Sequence, residues 1–340
     1  MRSATARPHA PPAAMAYLGI EIGGTKLQSA VVDDAGAVVH ERADQVEPSR
    51  GAAGVRDALA LQITDLCGRS DSSAAPPIDA VGIGFGGPVD RAAGVVATSF
   101  HVSGWGGFPL AAWVSSRAGG LPVALENDSN AAALAEATLG AGRGANPVLY
   151  SNVGSGIGGG LVVDGRIYHG HPPGEVEIGH LRLSADGTIT EDLASGWSID
   201  RQVRDHAAAH PDGPLARRAT AQGETPSARH LAAAIAAGDG AARAILDTAA
   251  RHYALALSHA VHLLHPEAVV LGGGVAGIGE PWREAVARHL PGFLMEPFRP
   301  GPDVRLSTLG RLVVPVGAAL AAAARLREPT AAPAPDRRRG

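Results

Sequence analysis

The chain has 340 residues, 45% hydrophobic and 18% charged, which predicts a core-burying globular protein and, from the length, two domains. A net charge of −4 with histidines neutral, and no basic stripe, give no electrostatic footprint for nucleic acid. Cys67 is the only cysteine, which excludes an intramolecular disulfide and a cysteine-rich metal site.

The opening stretch MRSATARPHAPPAAMA has no continuous apolar core of signal-peptide length. No segment reaches the roughly 18–20 uninterrupted apolar residues of a spanning helix. A cytoplasmic protein without a membrane partner is expected, with a disordered leader over 1–15 and either Met1 or Met15 as the start. AYLGIEIGGTKLQSAVVDDAGAVVHERAD reads as three short strands separated by Gly-rich and Asp/Gly turns. Residues 51–68 follow as a helix with apolar positions at Val55, Leu59 and Leu66. IDAVGIGFGGPVD is a buried strand running into a Gly-Pro loop, residues 108–118 form a helix, and LPVALEN is another strand. That strand feeds an alanine-rich helix through the polar run Glu126, Asn127, Asp128, Ser129 and Asn130. Such polarity fits either a helix cap made by Asp128 or Ser129, or a catalytic base placed over a cleft.

NPVLYSNVGSGIGGGLVVDGRIYHG then gives two strands around a glycine turn, with a further turn at Asp164-Gly165. Residues 172–195 show no clear periodicity, and helices follow around 196–208, 227–238 and 239–264. PEAVVLGGGVAG is a strand entering a glycine loop, 281–290 is helical, and VVPVGAALAAAARL closes the fold with a helix before a disordered tail. His252, His259, His262 and His265 follow helical spacing without carboxylates or cysteines nearby, as ordinary helix residues do. Trp105 fits core packing better than stacking on a sugar face. Two halves that each open with strands around a glycine turn, then alternate helix and strand, predict a duplicated α/β unit with a cleft between the halves.

EIGGTK (21–26) and NVGSGIGGG (152–160) sit between strand-like runs, where glycines leave backbone N–H groups uncovered for phosphate oxygens. Thr25, Lys26 and Ser155 add two hydroxyls and a cation. Neither segment is a P-loop, which opens a helix. Gly154, Gly156 and Gly159 spell a dinucleotide fingerprint, but the run after them reads as strand, which excludes a Rossmann unit. A plain tight hairpin accounts for either turn alone. One per half, facing a shared cleft with LGGGVAG (271–277) beyond, favours a grip on a nucleoside triphosphate.

LGIEIGGTKLQSAVVD, GIGFGGPVD, ENDSNAAALAE, VGSGIGGGLVVDG, EVEIGHL and LGGGVAG, in that order, resemble the ROK family (repressors, open reading frames, sugar kinases) over about residues 16–326. The resemblance implies a two-domain α/β fold of the actin/hexokinase/Hsp70 (ribonuclease H-like) kind, with a duplicated mixed-sheet unit and an interdomain cleft. It places one domain at 16–125 with the returning helix 313–326, a second at 126–312, and a tail at 327–340. The implied activity is that of a glucokinase-like, ATP-dependent kinase acting on a hexose hydroxymethyl group, with Mg²⁺ as cofactor and a homodimer as assembly. Gly23, Gly24, Thr25 and Lys26 would form the first phosphate loop, Gly154, Ser155 and Gly156 the second, and Gly272, Gly273 and Gly274 would sit by the adenosine. Gly87 and Asn127 would contact the sugar beside Asp128, the general base. Glu177 and His180 would hold ring hydroxyls, and Glu191 of EDLASG is a further sugar ligand.

This chain also departs from the family pattern. The Cys-rich zinc loop of many members is missing after Gly179-His180, so zinc is not expected. In FHVSGW, His101 replaces the sugar-binding Asn, which leaves an amino sugar, fructose or a C7-cyclitol open as acceptor beside glucose. Glu21 stands where Asp is commoner, and a carboxylate there can still hold Mg²⁺. A sugar-responsive repressor would need a helix-turn-helix of roughly 60 residues, whereas about 16 precede the first strand. A catalytically silent binding protein would need neither Asp128 nor both turns.

Overall fold

The computed structural model describes residues 15–68, 76–100, 102–172 and 176–327. The expected disordered leader and tail, except Met15 and Arg327, and the candidate ligand His101 lie outside the described residues. The first half runs β1 (Ala16–Ile22), β2 (Lys26–Asp33), β3 (Val38–Gln45), α1 (Gly51–Gly68), β4 (Ile78–Phe85), β5 (Val89–Asp90), β6 (Val95–Val96), α2 (Leu110–Arg117) and β7 (Val123–Asn127). Next come α3 (Asp128–Thr138), β8 (Val148–Val153), β9 (Ile157–Val163), β10 (Arg166–Ile167), α4 (Thr190–Ala194), α5 (Gly196–Ala209), α6 (Pro214–Ala221), α7 (Leu231–Ala236) and α8 (Gly240–Leu264). The chain ends through β11 (Ala268–Gly272), α9 (Gly273–Ala276), α10 (Glu280–His289), β12 (Asp303–Leu306) and α11 (Val313–Arg327).

Two five-stranded mixed sheets have the orders β3-β2-β1-β4-β7 and β10-β9-β8-β11-β12. In each, an antiparallel meander supplies three strands and two parallel strands complete the sheet. The two sheets therefore share one topology, as the duplicated-unit reading expects, and the α/β class is as expected. The fifth strand of the second sheet, β12, has four residues with an exposed Asp303, too short to carry a period. The sequence reading also lacked α4, α6 and the two-residue ribbon β5–β6, and the glycine loop after β11 is in fact the short helix α9.

Apolar side chains collect in three clusters. Leu18, Ile20 and Ile83 of the first sheet pack with Leu59 and Ile63 of α1, and Trp105 lies here, 1% exposed and edge-on to Phe85 and Phe108. Leu149 and Val269 of the second sheet pack with Tyr253 and Leu257 of α8 and with Trp282. The third cluster lies between the sheets and is built largely of alanine from α3 and α11. Small side chains let these helices approach closely. A Cβ added at Gly317 would stand 1.7 Å from the Ala131 carbonyl oxygen, and one at Gly82 1.8 Å from that of Ala318.

Glu136, fully buried on α3, accepts hydrogen bonds from Ala141 N (2.7 Å), Ser307 Oγ (2.6 Å), Thr308 N and Leu309 N (both 3.1 Å). It thus ties α3 to the segment entering α11. Of the four spaced histidines, three lie within α8, and His265 ends it in the left-handed conformation. No described helix is long and apolar enough to cross a membrane.

Candidate active site

Equivalent turns, β1–β2 and β8–β9, open the two sheets. In the first, Gly23 N donates to Lys26 O at 2.9 Å; in the second, Gly154 N donates to Gly156 O at 2.8 Å. Both turns line one cleft of about 970 Å³, at the upper end of small-molecule sites and roomy enough for two substrates. Gly23, Gly24, Thr25 and Lys26 come from the first turn, and Gly154, Ser155 and Gly156 from the second. Gly272, Gly273 and Gly274 enter from the β11–α9 junction, where Gly273 has φ +81° and a Cβ would meet Val153 O at 2.4 Å. Glu21, Gly87, Asn127, Asp128, Glu177, His180 and Glu191 line the same cleft. Every described candidate is thus brought together.

Asp128 begins α3, yet the cap is its neighbour. Asn127 Oδ1 accepts from Ser129 N at 2.9 Å and Asn130 N at 3.3 Å, while its Nδ2 donates to Gly87 O at 3.4 Å. This corrects the expectation that Asp128 or Ser129 would cap: Asn127 is the last extended residue, so its side chain faces the first helical amides. Asp128 Oδ1 accepts from Ser129 N at 2.7 Å, and Oδ2 lies 3.4 Å from where a Gly86 Cβ would stand. Residue 86 therefore lies in van der Waals reach of the carboxylate at the cleft floor.

Glu21 is 2% exposed, with Lys26 Nζ 2.8 Å from its Oε1. Burial pushes its carboxyl up to about 7 against the pull of Lys26, and the nearby Asp128 charge adds to the rise. Two carboxylates therefore share one field at the base of the cleft. Among the described residues, no group of three or more His, Cys, Asp or Glu is placed to hold a metal ion. A cation here would need waters or phosphate oxygens to complete its shell.

Glu191, expected as a sugar ligand, has one oxygen engaged elsewhere: Oε1 accepts from Ile157 N at 2.6 Å and braces the second turn from behind. The sequence reading missed Asn152, whose Oδ1 accepts from Ser129 Oγ at 2.9 Å and ties the start of α3 to β8. It also missed two aromatics on the cleft wall, Phe100 (76% exposed) and Trp197 (62% exposed), as well as Arg311. The signal for Trp197 was a large aromatic directly after the ASG of EDLASG; Arg311 carried none.

The profile of the ROK family matches residues 17–325. The glucokinase of Streptomyces coelicolor is 32% identical over 319 residues, covering 89% of this chain and 96% of that protein. The glucokinase of Halalkalibacterium halodurans is 30% identical over 309 residues, covering 86% of this chain and 91% of that one. A ROK family glucokinase from Streptomyces griseus, solved in complex with glucose and AMPPNP, superposes with a TM-score of 0.78 at 30% identity, covering 91% of this chain and 99% of that chain.

Proposed function

The chain belongs to the ROK family, and from that premise we propose that it is an ATP-dependent hexose kinase, phosphorylating the hydroxymethyl hydroxyl of a sugar. The observation that carries this reading is the convergence of two backbone turns, one from each sheet, on the cleft that holds Asp128. Phosphoryl transfer needs in-line positioning and charge stabilisation more than covalent help from the protein. The turns 23–26 and 154–156 supply uncovered amides, and Lys26 supplies a cation, for the polyphosphate. Gly272 to Gly274 leave open backbone for the nucleoside.

On the acceptor side, Asn127 and Gly87 frame the sugar, and Glu177, His180 and the second oxygen of Glu191 bind its hydroxyls. The hydroxymethyl oxygen attacks the γ-phosphorus, the bond to the β–γ bridging oxygen breaks, and ADP departs with that electron pair. Asp128 takes the hydroxyl proton. A weak base suffices for this where the proton leaves late in a loose transition state. Glu21 offers hard oxygen donors suited to Mg²⁺, directly or through water, and the ion would neutralise charge on the phosphates.

The test is a coupled ADP-release assay with ATP–Mg²⁺ and a panel of hexoses, N-acetylhexosamines and cyclitols, with the phosphate position read by NMR. Turnover of a hexose with phosphate on its hydroxymethyl carbon is expected. No ADP release with any acceptor would overturn the proposal.

A further inference from the structure

Behind the cleft lies an acid that the mechanism does not use. Glu126 is 6% exposed, its Oε2 is 2.8 Å from His169 Nε2, and Arg91 Nε approaches its Oε1 at 3.8 Å. Glu126 belongs to β7 and pairs with Gly84 in the first sheet. His169 follows β10, the edge strand of the second sheet. The contact therefore bridges the two sheets.

Strand register explains how the partners meet. Side chains alternate along β7, so Glu126 shares a face with Ala124, which lies in the alanine-rich cluster between the sheets. Ile167 packs against that same cluster, and His169 comes two residues later. An apolar approach at 124 and 167 is thus followed, one step along each chain, by a polar one at 126 and 169.

Stability alone does not call for this arrangement. A buried carboxylate pays for lost hydration, and well-packed apolar side chains are often at least as stabilising. What the pair adds is a fixed orientation. Glu126 immediately precedes Asn127 and Asp128. The segment around His169 is held to β9 by Tyr168 N donating to Leu161 O at 2.8 Å. Beyond it, Val176 O lies 2.9 Å from where a Gly159 Cβ would stand, just before Glu177.

We propose that Glu126 and His169 are positioning residues for the acceptor site. Their contact sets the β7–α3 junction, with Asn127 and Asp128, against the segment that leaves β10 at the edge of the second sheet. Neither side chain lines the cleft, so the pair acts through its neighbours. The kinetic part of this inference rests on the kinase reading.

The experiment compares wild type, His169→Ala and His169→Gln, whose amide N–H can take the place of the imidazole Nε2–H. With D-glucose and ATP–Mg²⁺ as probes, His169→Ala should lose roughly 10- to 100-fold in kcat/KM for glucose. Its KM for ATP should stay within about twofold, and His169→Gln should recover most of the loss. Amide hydrogen exchange without ligands should be faster at residues 126–131 in His169→Ala, and near wild type in His169→Gln. Equal damage to both substrates, a folded Gln variant that rescues nothing, or unchanged exchange at 126–131 would overturn the pair's role. Wild type inert towards every hexose would overturn the kinase reading instead, and the exchange comparison would then decide on the pair alone.

Discussion

Asn127 caps α3 and accepts from both Ser129 N and Asn130 N, so the carboxylate of Asp128 is not the sole acceptor for the first helical amides. Removing that charge should therefore cost chemistry and little stability. Asp128→Asn is expected to fold normally and bind ATP while kcat falls by about 10²–10⁴, the usual range for a general base; single-turnover kinetics beside nucleotide titration would check it. Glu21 makes a different prediction. Its folded carboxyl sits at about 7 against 4.5 for the ordinary group, because burial outweighs the Lys26 ion pair. The neutral form is thus the one the fold prefers. This residue's contribution is fully present below about pH 4.5 and is lost as pH rises through about 7, a penalty on the order of 3 kcal/mol. Glu21→Gln removes it, so the melting temperature of the ligand-free variant should gain on wild type between about pH 5 and 7 and the gap should level off above that. A constant gap across that range would refute the assignment.

At the scale of elements, Glu136 links α3 to the entry of α11 without any cation within the bonds that hold it. Glu136→Leu strands three backbone donors and a serine hydroxyl, and should destabilise by at least about 3 kcal/mol in chemical denaturation. Glu136→Gln should also destabilise, because its amide must turn a donor towards Ala141 N or towards the 307–309 segment. What was legible in the sequence divides along similar lines. The β1–β2 and β8–β9 hairpins, α1, α3 and α11 were readable because each is a contiguous run with its own period or punctuation. The strands β5, β6 and β12 have two to four residues and no period to read. α9 hid inside a glycine run, since glycine is the poorest signal of helix after proline. Within the site, the glycine turns and the Asn127–Asp128 step are local motifs. The Glu126–His169 contact spans 43 residues and depends on how two edge strands face one another, which no local pattern encodes.

At the scale of the whole molecule, the duplicated sheets share a third core beside the one each has of its own. The alanine-rich cluster takes Tyr17, Ala80 and Ala124 from the first sheet and Val148, Tyr150 and Val270 from the second, with α3 and α11 between them. Exposing either half alone would uncover this shared surface, at about 25 cal/mol per Å² of apolar area. The halves should therefore unfold together even though each has its own further cluster. Calorimetry on the ligand-free protein is expected to give one transition with matching van't Hoff and calorimetric enthalpies. The crossing at Gly317 offers the decisive variant, because an added side chain there meets the Ala131 backbone at 1.7 Å and must push α11 away from α3. Gly317→Val should lower the melting temperature and split or broaden the transition, as the shared cluster loosens while the two outer clusters persist. It should also lower kcat with D-glucose, since α3 carries Asp128 and its spacing from the first turn is set by that crossing. Two resolved transitions in the wild-type protein, or a Gly317→Val variant that melts as sharply and turns over as fast, would contradict a shared core that holds the cleft in register.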